Sequence, residues 1–271
     1  MEWKNSILCL FVVVTAAEKS AKIVNGIYKP REPNRGEFPF QASLLLKINN
    51  SYVPFCGGSL IHPKWILTAA HCLEQNDHPI PIDLLKVALG SIYTDGKGAQ
   101  RIPAHITYMN KKFFEEEGHD IGLILLRKNA QLGRNVKPIR LHTNNRENLI
   151  GTTAYLTGFG IIDDHYHQPD RLRKAILHID FPSKCFSNLD EHSDICCTSS
   201  ISEGKACKGD SGGPLTIRRN GNYIQVGITS HLAILPVCKI MFNNSVYTRV
   251  SAYIGWISKV TGIDFSTFNQ T

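Results

Sequence analysis

Gly204-Lys-Ala-Cys-Lys-Gly-Asp-Ser-Gly-Gly-Pro214 is the stretch on which the reading of this 271-residue chain turns. Ser211 stands between Asp210 and the pair Gly212-Gly213, with Gly209 and Pro214 just outside. Glycines let the backbone turn tightly enough for two N–H groups to face the pocket into which Ser211 points. Cys207 pins the start of the loop. Alone, such a run also suits a plain glycine-rich turn. A serine by itself is a poor nucleophile, so the chemical reading requires a base and an orienting acid elsewhere.

Both are present. Thr68-Ala-Ala-His-Cys72 supplies His71, and Gly118-His-Asp-Ile-Gly-Leu-Ile-Leu-Leu126 supplies Asp120 at the head of an apolar run that reads as a buried strand. Taken singly, a His beside a Cys is more often structural or a metal ligand, and an Asp opening a strand more often a turn or cap residue. The order His71, Asp120, Ser211, with separations of 49 and 91 residues, resembles the trypsin/chymotrypsin-like serine proteases. Ile23-Val-Asn-Gly26 is similar to the mature N-terminus of that family, and Phe55-Cys-Gly-Gly-Ser-Leu-Ile61 to the strand leading to its histidine. Thr157-Gly-Phe-Gly160, Pro169-Asp-Arg-Leu172, Val246-Tyr-Thr-Arg-Val250 and Tyr253-Ile-Gly-Trp256 match as well. The resemblance therefore spans nearly the whole chain after residue 22.

The first residues read differently. Lys4 precedes the apolar run Ile7–Val14, and the small residues Thr15-Ala-Ala17 follow. This is the pattern of a secretory signal peptide over residues 1–17, and the run is too short for a transmembrane helix. Residues 18–22 are too short to fold. A Lys immediately before Ile-Val-Asn-Gly is similar to a zymogen activation site, cut by a protease of trypsin-like preference. The resemblance implies that the freed ammonium of Ile23 would pair with Asp210. A buried carboxylate requires such a partner. A secreted, extracellular product is expected.

The 249 residues that follow Lys22 are enough for a sizeable core without a second independent domain. Short alternating segments such as Phe40-Gln-Ala-Ser-Leu-Leu-Leu46 and Ile224-Gln-Val-Gly-Ile228, punctuated by Gly, Pro, Asn and Asp, predict an all-β chain. Only Val250 to Thr261 has helical spacing. No internal repeat is evident. Two antiparallel β-barrels, about 23–135 and 136–271, with the triad between them, are what the resemblance implies.

Seven cysteines remain once Cys9 of the signal is set aside. The resemblance pairs Cys56 with Cys72, Cys185 with Cys197, and Cys207 with Cys238. Cys196 is then left over, to be buried, to compete with Cys197 or to bridge to another chain. The precursor carries a net charge of +7; residues 1–22 hold three Lys and two Glu, so their removal leaves +6. The basic residues are scattered, which favours a solvated surface over a polyanion site, and nothing resembles a nucleic-acid module or a membrane anchor. Asn49, Asn243 and Asn269 each begin an N-x-S/T sequon.

The resemblance assigns His71, Asp120 and Ser211 to catalysis and the N–H groups of Gly209 and Ser211 to the oxyanion hole. The departures lie in the specificity pocket. Lys205 holds the place of the Asp that selects basic residues in trypsins, so trypsin-like specificity is not expected. Its ammonium either reads an acidic side chain or turns away to leave an apolar slot. Around it stand Ala206, Ser230, His231, Leu232 and Ser245, with Leu232 and Ser245 in the places of pocket glycines. Ser91 stands where a calcium-binding Glu is found in trypsins, and His165, His167, His178 and His192 fit no tetrahedral spacing. No cofactor or metal is therefore expected. The sequence predicts a secreted, zymogen-activated serine endopeptidase acting on protein or peptide substrates and open to protein inhibitors. The alternative is a weakly active or inactive binding or toxin-like protein that keeps the fold.

Overall fold

Apolar and β-branched residues alternating with polar ones, and stopping at turn residues, give this chain its strands. The computed structural model describes residues 32–116, 118–162, 165–187, 189–199, 204–232 and 244–268. Strands β1 (Gln41–Ile48), β2 (Ser51–His62), β3 (Trp65–Thr68), β4 (Leu85–Leu89), β5 (Gln100–Met109) and β6 (Gly122–Leu126) close into an antiparallel barrel in the order β1-β2-β3-β6-β5-β4. A second barrel follows, built from β7 (Thr153–Gly158), β8 (Arg173–Asp180), β9 (Asp194–Thr198), β10 (Pro214–Arg219), β11 (Asn222–Leu232) and β12 (Asn244–Arg249). Its order is β7-β8-β9-β12-β11-β10, closed by the pairing of β10 with β7, so the two barrels share one topology. The chymotrypsin-like double barrel implied by the resemblance is what the chain forms.

Local chemistry sets the turns. Asn49 and Asn50, at φ 46° and 65°, join β1 to β2 through a two-residue loop, a conformation that asparagine tolerates better than most residues. After β12 a 3₁₀ turn (Val250–Tyr253) leads into helix α1 (Ile254–Thr261), close to the expected span. Gly262, at φ 72°, ends α1 by donating its N–H to the Ser258 carbonyl at 2.9 Å. Among the described residues no helix is long and apolar enough to cross a membrane.

Each barrel fills with its inward-facing aliphatic residues, among them Leu44, Leu60 and Leu123 in the first and Leu156, Leu177 and Leu215 in the second. Burying one such side chain stabilises the fold by about 1.5–3 kcal/mol. Between the barrels, apolar contacts are joined by buried polar ones. Ser59 Oγ of β2 donates to Gln225 Oε1 of β11 at 2.7 Å, and Thr157 Oγ1 of β7 to Gln41 Oε1 of β1 at 2.7 Å. The two amide NH₂ groups go to the carbonyls of Gly227 and Ala42. The barrels are thereby held in one relative position, which fixes the cleft between them.

One cysteine assignment is corrected. Cys56–Cys72 forms as expected, but Cys185 pairs with Cys196, and Cys197 is the free, buried thiol. The cause is strand alternation: neighbours in β9 point to opposite faces. Cys197 and Ile195 face the core of the second barrel, and Cys196 faces outward to the 3₁₀ segment that carries Cys185. Burial among aliphatic side chains pushes the Cys197 thiol well up from its ordinary pKa. Cys207 is disulfide-bonded, and its expected partner Cys238 lies outside the described residues.

Candidate active site

β3 and β6 are hydrogen-bonded neighbours, with Thr68 opposite Gly122. His71 follows Thr68 by three residues and Asp120 precedes Gly122 by two, so both emerge at the same end of the first barrel. His71 Nδ1 lies 2.7 Å from Asp120 Oδ2, and the His71 backbone N–H donates to Asp120 Oδ1 at 3.0 Å. Ser230 Oγ donates to Asp120 Oδ2 at 2.6 Å, and Thr248 Oγ1 to the Asp120 carbonyl at 2.8 Å. The Cys56–Cys72 disulfide closes a short loop beside His71.

The electrostatics follow from this geometry. Burial alone would raise the pKa of Asp120, which is 5% exposed. The charge of His71 and the hydrogen bonds from His71 and Ser230 outweigh it and bring the pKa to about 2. Burial pulls His71 the other way, but the Asp120 charge and hydrogen bond prevail, and its pKa is raised. An ionised Asp120 accepts only, so Nδ1 carries the proton and Nε2 is left as the base.

The Ser211 loop packs against the same end of the first barrel. Gly57 N donates to the Ser211 carbonyl at 2.7 Å, and Gly212 N to the Thr229 carbonyl at 2.7 Å. Gly212 is in the left-handed region (φ 75°), and a Cβ there would stand 2.2 Å from Thr68 Oγ1 and 2.7 Å from the Gly57 carbonyl. Only glycine allows this approach, which brings the serine loop onto the Thr68–His71 segment. Among the described residues, the N–H groups of Gly209 and Ser211 are engaged by no acceptor.

Asp210 is buried beneath this loop. Its carboxylate accepts from Gly160 N at 2.8 Å and Cys207 N at 2.9 Å. A Cβ on Gly160 would stand 2.6 Å from Asp210 Cγ, so that glycine makes room for the carboxylate. Burial raises the Asp210 pKa to about 6 against the pull of the two N–H groups. Among the described residues no cation faces it. Lys22 and Ile23 lie outside the described residues.

The other predicted residues divide. Lys205 is half-buried, and Ala206, Ser230 and Ser245 are buried. In the β11–β12 ladder His231 pairs with Val246 and Leu232 with Ser245, which places these four beside Ser230. Ser245 Oγ lies 2.9 Å from Tyr247 Oη. Ser230 is thus a partner of Asp120 as well as a neighbour of the pocket strands. That role and the one of Thr248 were not read from the sequence. The available signal was chemical: a buried carboxylate requires several donors, and hydroxyls in apolar strands are candidates. Asn49 is exposed at its hairpin tip, and Asn243 and Asn269 lie outside the described residues. His165, His167, His178 and His192 are exposed. Potential metal-ligand atoms among the described residues gather at Cys56, His71 and Cys72, where the two sulfurs are joined to each other.

Two closed antiparallel barrels with a histidine–aspartate pair at their junction define a chymotrypsin-like serine protease. The Trypsin family model matches residues 27–257, and the chain belongs to that family. It is 30% identical to granzyme M of Homo sapiens over 266 residues, covering 94% of this chain and 95% of that one. It is also 30% identical to chymotrypsin-like elastase family member 1 of Bos taurus over 252 residues, 89% of this chain and 90% of the relative. The chain is a serine-type endopeptidase, and proteins or peptides are its substrates.

Proposed function

We propose that the chain is a secreted endopeptidase, activated by cleavage after Lys22, whose His71, Asp120 and Ser211 hydrolyse peptide bonds after an acidic or apolar residue. The observation that carries this reading is the partly buried, hydrogen-bonded Asp120–His71 pair at the barrel end against which the Ser211 loop is packed. Ser211 Oγ bonds to the scissile carbonyl carbon as His71 Nε2 takes its proton. The C–N bond then breaks, and that proton leaves with the amine. Water, activated by the same nitrogen, splits the acyl ester and returns the proton to Ser211. The N–H groups of Gly209 and Ser211 hold the oxyanion, and that no acceptor among the described residues competes for them supports this role.

Activation follows from Asp210. A buried carboxylate without a cation costs stability, and the new ammonium of Ile23 would supply the partner. Residues 1–17 would be the signal peptide and 18–22 the activation peptide, removed by a protease of trypsin-like preference. Protein inhibitors of the family are expected partners. Glycosylation is proposed at Asn49, where the exposed hairpin supports it, and at Asn243 and Asn269 on their sequons alone.

The test is a peptide library digested by protein cleaved after Lys22, with uncleaved precursor beside it. Cleavage after Asp or Glu would show Lys205 reading charge. Cleavage after Leu, Phe or Ala would show the pocket working as an apolar slot. Cleavage after Lys or Arg would overturn the specificity reading. No cleavage and no fluorophosphonate labelling, with a free Ile23 confirmed, would overturn the enzymatic proposal in favour of a binding protein on this fold.

A further inference from the structure

Behind the catalytic pair lies a second polar assembly that the mechanism above does not use. His119, the residue before Asp120, has φ 53°, a left-handed conformation in which Asn, Asp and His are enriched. Ile121 N donates to the His119 carbonyl at 2.9 Å, so Asp120 is the central residue of a three-residue turn. The direction in which its carboxylate leaves the chain therefore depends on how His119 is held.

His119 is held at both ring nitrogens. Nδ1 lies 2.8 Å from Tyr253 Oη, and Nε2 lies 2.9 Å from Glu116 Oε2. The rings of His119 and Tyr253 meet edge to face, with centroids 5.8 Å apart at 90°. An ionised carboxylate accepts only, so Nε2–H donates to Glu116, and in that tautomer Nδ1 accepts from the Tyr253 hydroxyl. Tyr253 is 6% exposed, and burial, followed by the charges of Asp194, Asp190, Asp120 and Glu116, keeps that hydroxyl protonated. Glu116 is itself anchored. Its N–H donates to the Lys112 carbonyl at 2.8 Å, and Lys112 Nζ stands 3.2 Å from its carboxylate. Asn110 N closes the loop on the Ile121 carbonyl at 3.1 Å.

We infer that His119, clamped between Tyr253 and Glu116, is a positioning residue that aims the carboxylate of Asp120 at His71. The clamp ties the 110–121 loop of the first barrel to the turn that follows the last strand of the second. Both barrels thereby set the aspartate: the second through Tyr253, and also through Ser230 and Thr248. This inference rests on the assignment of Asp120 and His71 to catalysis.

Tyr253→Phe removes one hydroxyl, His119→Ala removes the whole clamp, and His119→Asn keeps an acceptor and tolerates the left-handed backbone. Each variant is compared with wild type, all cleaved after Lys22, by kcat and KM from pH 5 to 9, by fluorophosphonate active-site counting and by thermal melting. Misplacing a catalytic group by about 1 Å costs up to ~100-fold in rate, so a loss of about tenfold in kcat with little change in KM is expected for Tyr253→Phe and His119→Ala. A loosened Asp120 supports the His71 imidazolium less, so the acidic limb of the rate profile moves to lower pH. His119→Asn restores most of both. Lower melting temperatures with the limb and the rate per labelled site unchanged would overturn the inference, since that is what a purely structural clamp gives. So would wild-type kinetics in Tyr253→Phe and His119→Ala alike. A cleaved wild type that neither labels nor cleaves would overturn the protease reading and this inference together.

Discussion

Asp120 is 5% exposed, yet its pKa lies near 2, because His71, Ser230 and a backbone N–H together outweigh the cost of burying its charge. Asp120→Asn keeps the size of the side chain and removes the charge. With the amide NH₂ in the place of Oδ2, both the His71 ring and Ser230 lose their acceptor; in the place of Oδ1 it faces the His71 backbone N–H instead. The imidazolium also loses its counter-charge. A drop of at least about a hundredfold in kcat/KM is expected, with fluorophosphonate labelling slowed in parallel. Labelling at the wild-type rate would show that Asp120 does not orient the base. Asp120 itself was legible in the sequence because it heads an apolar run at a spacing shared with a known family. Its partners were not. Ser230, Thr248 and the His119–Tyr253 contact join residues 110, 128 and 134 positions apart, and no local pattern marks them.

Strand geometry decides the cysteine pairing, and the signal was present in the sequence. In Asp194-Ile-Cys-Cys-Thr198 the apolar Ile195 alternates with Cys197, so a strand that buries the first also buries the second. Family position alone makes Cys196 the leftover. The alternation gives a measurable result. Mature protein should show no thiol reactive to a disulfide probe while folded, and one that appears in denaturant and maps to Cys197. Cys197→Ser should abolish it with the Cys185–Cys196 bridge intact. A reactive residue mapped to Cys196 would restore the other pairing. Strands β1 and β11 were legible as alternating segments in the same way. The shared strand order of the two barrels was not, because the barrels repeat a path through space and not a sequence pattern.

At the scale of the molecule, the burial of Asp210 makes stability depend on pH. In the full-length chain its folded pKa is about 6 against an ordinary 3.8. The folded state therefore binds more protons than the unfolded state between those values, and stability falls as pH rises from about 4 through 6. The loss amounts to about 3 kcal/mol once Asp210 is ionised. After cleavage the Ile23 ammonium would favour the ionised form and return that stability above pH 6. Asp194 is also raised to about 6, but it lies in both forms and cancels from the comparison. The two proteins to compare are a Lys22→Gln precursor and wild type cleaved after Lys22, melted from pH 4 to 8. The curves should lie close together at pH 4 and separate through pH 6, the cleaved form gaining about 5–10 °C by pH 7. Asp210→Asn in the precursor should remove about half of its decline, the share of Asp194 remaining. Parallel curves across the whole range would mean that Asp210 meets no new cation on cleavage, and the activation mechanism would fall while the protease fold stood.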